Sequence, residues 1–138
     1  MRTLIASFAF TTLALAAAGV AAAPAPAPSP AADACKSKTV AMLEALQRGD
    51  DAATTHDMSA FMRMMNSPES LQQTREELAR QYGAWKSHDA AQVAASDNES
   101  VTLRVPLVMA HGKPTAVVIC NFKEKAPLAS LAILAPGL

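Results

Sequence analysis

The chain has 138 residues, of which 12 are Lys or Arg, 12 are Asp or Glu, and 51% are hydrophobic. This length is typical of one domain and excludes a two-domain enzyme. The balanced charge, without a basic cluster, argues against nucleic acid or an anionic membrane surface as the partner, because both are bound through clustered Lys and Arg. Beyond residues 1–22, 11 basic and 12 acidic residues remain, which is an ordinary composition for a globular protein.

Residues 1–22 have the composition of a secretory signal peptide. Arg2 supplies a positive start, residues 4–20 are uncharged and mostly apolar, and small residues precede the expected cleavage site after Ala22. We therefore expect a periplasmic or secreted protein that has no membrane attachment after cleavage. A retained membrane-spanning helix is disfavoured, because about 17 apolar residues only just cross a bilayer ~30 Å thick. Lipid attachment at Cys35 is weaker still, since a Pro-rich stretch separates it from the apolar segment.

Residues 23–33 predict a linker in front of a single domain that covers residues 34–138. Alternating Ala and Pro residues remove backbone donors and fix φ, which favours either a polyproline II spacer or a disordered tail. Asp33 is the expected N-cap of the first helix, and Gly49 is expected to end it in the C′ position. The residues that form the expected inner face of this helix recur at three- and four-residue spacing. They are Val40, Met42, Leu43, Leu46 and Gln47.

A second helical segment is predicted from Asp50 or Asp51 to Met65, with a break near residues 57–59. Four of its residues fall at i, i+3, i+4 and i+7, which predicts one core-facing stripe. The same segment raises a copper hypothesis, because thioethers and imidazole are ligands that Cu(I) prefers. The spacing favours core packing over copper. The stripe is Met58, Phe61, Met62 and Met65, and the copper candidates are His56, Met58, Met62, Met64 and Met65.

A third helix is predicted from Ser67 to Tyr82. Ser67 is the expected N-cap, Pro68 suits the first helical position, and Gly83 is expected to end the helix. Its expected inner face consists of Leu71, Thr74, Leu78 and Tyr82.

Beyond Gly83 the apolar period changes from about 3.6 to 2, which predicts β-strands. The clearest alternation covers residues 101–109, where Pro106 demands an edge or a bulge because it lacks an N–H. A hairpin turn at His111-Gly112 then leads into a strand at residues 115–122 that is apolar on both faces, as in a central strand. Further strands are predicted at residues 128–134 and, more weakly, at residues 85–95. The predicted class is α+β, with three helices packed on a four-stranded, mainly antiparallel curved sheet.

This order of elements resembles a known family. The Gly49-Asp50 break, a third helix that ends in Gln81-Tyr82-Gly83, and a strand that starts at Ala84-Trp85-Lys86-Ser87 are similar to the bacterial family called domain of unknown function 3887. The resemblance spans about residues 35–135. It implies a small cystatin-like roll of the nuclear transport factor 2-like type, in which a curved sheet wraps a helix and leaves a pocket. It implies no activity.

The two cysteines, Cys35 and Cys120, lie 85 positions apart. Two cysteines in an exported protein pair more often than they stay free, so we predict a Cys35–Cys120 disulfide. The alternative is a buried thiol at Cys120 with Cys35 free or paired between molecules. Redox chemistry of the thioredoxin type is disfavoured, because it requires neighbouring thiols.

The sequence carries no catalytic signature. Its three histidines, His56, His88 and His111, have no spacing that would place two zinc ligands on one helical face. No Gly-x-Ser-x-Gly elbow is present, and the acidic pairs Asp50-Asp51 and Glu76-Glu77 fit a helix start and a helix surface. We therefore expect no enzyme, no cofactor and no metal.

The predicted function is a non-catalytic binding module. It would enclose a small apolar or amphipathic ligand, or a peptide, between the sheet and the helices. One alternative is a structural or protein-interaction module that dimerises through the sheet or through an edge strand. A remote alternative is Cu(I) binding by Met58, Met62, Met64 and Met65. The candidate pocket residues are Met62, Met65, Tyr82, Trp85 and Phe122.

Overall fold

A computed structural model describes residues 29–137, so the predicted signal peptide and most of the predicted linker lie outside the described residues. The fold is α+β, with helices first and antiparallel strands second, as the change of period predicts. Among the described residues, no helix is both long and apolar enough to cross a membrane. The elements are α1 (Pro30–Arg48), α2 (Asp51–Thr55), α3 (Ala60–Met65), α4 (Pro68–Tyr82), β1 (Trp85–His88), β2 (Gln92–Ser96), β3 (Ser100–Met109), β4 (Thr115–Asn121) and β5 (Leu128–Leu134).

Each helix starts at a side-chain cap, and the cap of α1 corrects the prediction. Ser29, not Asp33, caps this helix, and its hydroxyl accepts the Ala32 N–H at 3.1 Å. Pro30 follows in the first turn, where a missing N–H costs nothing. The same Ser-Pro arrangement at Ser67 starts α4, as predicted. Asp33 lies in the first turn of α1 instead, where its charge complements the helix dipole.

The second helical segment is divided into α2 and α3, and this break changes its stripe. Met58 lies between the two helices and forms a bridge with Leu128 of β5. The Ser59 N–H donates to the Leu128 carbonyl, and the Leu128 N–H donates to the Asp57 carbonyl. Because Met58 does not belong to α3, the predicted helical spacing no longer holds. Met58 and Met62 are buried, but Phe61 and Met65 are 64% and 59% exposed, so their core-facing prediction is wrong.

The sheet has five strands in the order β1-β3-β4-β5, and β2 also pairs with β3. The single weak strand that was predicted at residues 85–95 is divided into β1 and β2, which pair with different parts of β3. Pro106 lies in the gap between these two partners, where its carbonyl accepts the Asp89 N–H at 2.8 Å. The N–H and C=O of a strand residue point the same way, so the missing donor of Pro106 faces that gap.

The core lies between the helices and one face of the sheet. Alternate residues of β3 and β4 are buried there, from Val101 to Met109 and from Ala116 to Cys120. Cys35 of α1 is disulfide-bonded to Cys120, with 6.2 Å between their Cα atoms, which confirms the predicted pair. This bond is consistent with an oxidising compartment.

Candidate functional site

A groove on the described surface lies between α4 and the end of β5, and we call it the α4–β5 groove. It encloses about 830 Å³. Its walls are one side of α4 and the chain from Ile133 to Ala135. The lining residues are Ser70, Gln73, Thr74, Glu76, Glu77, Leu78, Arg80, Gln81, Tyr82, Ile133, Leu134 and Ala135.

The end of α4 is fixed by the hairpin between β3 and β4. The Tyr82 carbonyl accepts the His111 N–H at 2.8 Å, and the Ala84 carbonyl accepts the Ala110 N–H at 2.9 Å. Gly83 makes this close approach possible, because its φ is +75° and a Cβ there would lie 2.9 Å from a His111 ring carbon. Tyr82, at this fixed helix end, lines the groove.

The groove has an apolar floor and a polar rim. Leu78 is buried, and Ile133 packs against the core. On the rim, Gln72 donates to the Glu76 carboxylate at 2.7 Å, and Arg80 and Gln81 both donate to the Glu77 carboxylate. Both rim carboxylates therefore already have hydrogen-bond partners on α4.

A second groove of about 780 Å³ lies on the other side of Leu78, between α1, α4 and the start of β1. Trp85 forms one wall, and its carbonyl accepts a hydrogen bond from the Gln47 amide at 3.0 Å. Arg75 lines this groove but is bound to Asp51 at 2.6 Å, which compensates its charge. The indole N–H of Trp85 donates to the Ser87 carbonyl at 2.9 Å.

The structure does not bring the five candidate pocket residues together. Met62 is buried in the core, Met65 is exposed, and Phe122 is partly buried against the core. Tyr82 lines the α4–β5 groove, and Trp85 lines the second groove. The sequence reasoning missed Ile133, Leu134 and Ala135, because it assigned residues 128–134 to a strand without indicating which element faces them.

The copper candidates lie in different environments. Met58 and Met62 are in the core, whereas Met64 is 72% exposed. Burial of two of the thioethers among apolar side chains favours their packing role. Between residues 29 and 137, no group of three or more His, Cys, Asp or Glu side chains is arranged to hold a metal ion.

An ion pair ties α1 to the loop between α2 and α3. Lys38 donates to the Asp57 carboxylate, and His56 lies 3.4 Å from the same carboxylate. Partial burial raises the pKa of Asp57, but the hydrogen bonds and positive charges of Lys38 and His56 outweigh it and leave the pKa below its ordinary value.

Comparison with models of protein families, with curated proteins and with solved structures finds no match.

Proposed function

We propose that this protein is an exported, non-catalytic binding module whose binding site is the α4–β5 groove. The observation that supports this proposal is the groove itself. Its volume of about 830 Å³ lies in the range of small-molecule sites, ~300–1,000 Å³, and it combines an apolar floor with a polar rim. The ligand class is a small apolar or amphipathic molecule, or a short peptide segment.

The proposed site lies at the margin of the helix and sheet layers. Between these layers, central side chains such as Leu103 and Leu107 have no exposed surface. At the margin, α4 diverges from the end of β5 and leaves the groove open. A ligand could enter there without displacing the core, so binding requires little reorganisation of the fold.

Two features support export. Residues 1–22 have the charge and apolar pattern of a signal peptide. The buried Cys35–Cys120 disulfide is of the kind that persists in the periplasm or outside the cell. Both features fit a module that meets its ligand beyond the cytoplasm.

Blocking the groove tests the proposal. Ala135 is exposed on the groove wall, so Ala135→Trp should fill the site. We expect Nile red, a neutral apolar dye, to bind the unaltered protein and to lose about tenfold in affinity in this variant, because the indole occupies its space. Ala52→Trp adds the same side chain on an exposed surface of α2 and should bind as the unaltered protein does. Equal affinity in all three proteins would reject the groove as the site.

A native ligand can be sought directly. The full chain is expressed in an exporting host, purified without detergent, and examined by mass spectrometry for small molecules that copurify. We expect an apolar or amphipathic compound that is depleted in Ala135→Trp and retained in Ala52→Trp. A compound retained equally by both variants would point away from the groove.

A second candidate function is a protein-interaction module that uses the outer face of the sheet. This face is opposite the helices, and Arg104 is the one charged residue among the outward residues of β3, β4 and β5. Val108, Val117 and Ile119 contribute its apolar surface, and Ile119 is 37% exposed. If this face makes contacts, Ile119→Glu should abolish them and leave dye binding unchanged. A sedimentation profile that Ile119→Glu does not alter would argue against this candidate.

A further inference from the structure

We infer that the partner of the α4–β5 groove is a second copy of this chain, bound through antiparallel pairing of the two β5 strands about a two-fold axis. The inference rests on the proposed function, because it assigns a partner to the same groove. It is supported by the backbone of β5, by the side chains of β5 and by an apolar patch on α3.

The backbone of β5 leaves one edge open. The Asn121 N–H donates to the Pro127 carbonyl, so Asn121 and every second β4 residue before it face β5. Their partners Ser130, Ala132 and Leu134 therefore face β4. Leu131 and Ile133 point their N–H and C=O groups away from the sheet.

These outward groups have no hydrogen-bond partner within residues 29–137, either in the backbone or in a side chain. At the start of the same edge, Leu128 is bonded to Asp57 and Ser59. The open edge thus begins after the loop that protects the start of β5.

The side chains of β5 do not protect this edge. Its sequence, from Leu128 to Leu134, has neither a charged residue nor a proline, the usual devices that prevent edge-to-edge pairing. The opposite edge of the sheet is different. It is divided between β1 and β2, carries register shifts in both pairings, and has the exposed Lys86. Only the β5 edge resembles a surface that a further strand completes.

A two-fold axis that passes by Ala132 gives hydrogen-bond partners to the outward N–H and C=O groups of the open edge. In this register Leu131 of one copy lies opposite Ile133 of the other, and both residues point their backbone groups into the interface. Each such pair exchanges two hydrogen bonds, so all the outward groups of both residues are used. Ala132 meets its own counterpart, and its small, exposed side chain permits this approach.

The same axis relates an apolar patch to the groove. Phe61, Met64 and Met65 of α3 are 59% to 72% exposed, and α3 follows directly after the loop that pairs with the start of β5. The groove lies at the opposite end of β5. Antiparallel pairing brings the end of one β5 towards the loop that covers the start of the other, so the α3 patch of each copy approaches the groove of its partner.

The sizes and charges are complementary. The three exposed side chains present roughly 350–400 Å², which lies in the ~300–600 Å² range of the largest apolar patch on a typical protein, a patch that is often functional. With the strand edge and the groove, the contact approaches the ~800 Å² per partner of a stable interface. The one charged residue of α3 is Arg63, whose guanidinium also donates to the Met58 carbonyl at 2.9 Å, whereas the groove carries Glu76 and Glu77 against Arg80 alone, which leaves the groove one negative charge in excess.

The first test introduces a charge at Ala132, the residue that lies on the two-fold axis. The full chain is exported, purified and studied by sedimentation equilibrium between about 1 and 200 μM, where we expect a reversible dimer. Ala132→Lys and Ala132→Glu each place like charges opposite one another and should weaken self-association about tenfold or more. An equimolar mixture of the two variants should recover the dimer, because opposite charges then meet. Circular dichroism checks that both variants are folded.

The backbone contribution is tested at Ile133. Ile133→Pro removes the outward N–H without removing a bond to β4, and it should also weaken the dimer. Ile133→Ala shortens the side chain but keeps the N–H, so it should retain more of the association than the proline variant. An alanine variant as weak as the proline variant would mean that the strand edge is not used.

Besides that outcome at Ile133, three further results would overturn the inference. They are a monomer throughout the concentration range, a dimer that Ile119→Glu disrupts while both Ala132 variants leave it intact, and mixed Ala132 variants that fail to associate. A monomer that still binds Nile red in a manner sensitive to Ala135→Trp would reject the second copy as partner and leave the proposed groove function standing. A dimer without any dye binding by the dilute monomer would reject the small ligand and leave the self-association standing.

Discussion

The two ends of β5 differ in how completely the rest of the protein buries them and bonds to their backbone. At its start, Leu128 is buried, bonded through its backbone to Asp57 and Ser59, and paired with Cys120, which carries the disulfide. At its end, Ile133 and Leu134 line an open groove. We call these the closed end and the open end. A single uncharged strand thus supplies both a structural anchor and a candidate binding surface.

The difference lies in the neighbours and not in the strand. All seven residues of β5 are apolar or small, with no change of character along its length. The closed end has the loop between α2 and α3 against its edge, whereas the open end faces α4 across a groove. Partially uncovered strand edges are sites where proteins accept further strands, so the contrast indicates where binding should be sought.

Removing the disulfide, which anchors the closed end of β5, should have the largest effect on the free energy of unfolding. In Cys35→Ala/Cys120→Ala, we expect the free energy of unfolding to fall by about 4 kcal/mol, because the bond closes a loop spanning 85 positions. Urea unfolding followed by circular dichroism measures the change. Reductant should destabilise the unaltered protein and leave the double variant unaffected. A loss below about 1 kcal/mol would show that packing alone holds α1 on the sheet.

On the α4 side of the groove, across from the open end, the most sensitive position should be Gly83. We expect Gly83→Ala to cost about 2–3 kcal/mol, since its φ of +75° and ψ of −158° suit glycine alone and the new Cβ would contact His111 and Ala110. Gly137→Ala is the matched control, because Gly137 also has a positive φ but no atom within 4 Å of the added Cβ. Thermal unfolding compares the two variants. Equal melting temperatures would mean that the contact with the hairpin is not limiting.

The Lys38–Asp57 pair should contribute the least to the free energy of unfolding, and its contribution should depend on pH. Because the folded pKa of Asp57 is lowered, its stabilisation is complete above the ordinary value of 3.8 and is lost as the pH falls through the lower folded value. Asp57→Asn should therefore cost at most about 1 kcal/mol at pH 7 and close to nothing near pH 2. Unfolding measured at both pH values tests this expectation.

A double-variant cycle with Lys38→Met isolates the ion pair from other roles of Asp57. We expect the two changes to be less than additive at pH 7, because each removes the same contact. Additive losses would show that Asp57 acts through its other neighbour, His56.

Local signals allowed much of the fold to be predicted. The Ser67-Pro68 helix start, the Gly49 helix end and the central position of β4 are all confirmed. Ser29-Pro30 carried the same signal as Ser67-Pro68 but was assigned to the linker, which displaced the start of α1. The stripe of the second segment failed for a different reason. Its spacing assumed one continuous helix, whereas Met58 is held by a bridge to a strand 70 positions later in the chain.

The candidate site was less accessible to sequence reasoning. Tyr82 was identified because an aromatic residue at a helix end is conspicuous, and it does line the groove. Ile133 and Leu134 were assigned to a strand, but nothing in their own pattern says that α4 stands opposite them. A groove depends on the distance between elements, and periodicity carries no information about that distance.

The sequence alone therefore determined that the helices precede the strands and which face of β3 and β4 is buried, and it favoured the pairing of Cys35 with Cys120. These features follow from caps, from spacing and from the chemistry of two residues. Only the tertiary structure decided which methionines are buried, which part of β5 is left open, and where a groove forms. Burial and open edges arise from the way distant elements pack, because each element is covered only where another one meets it.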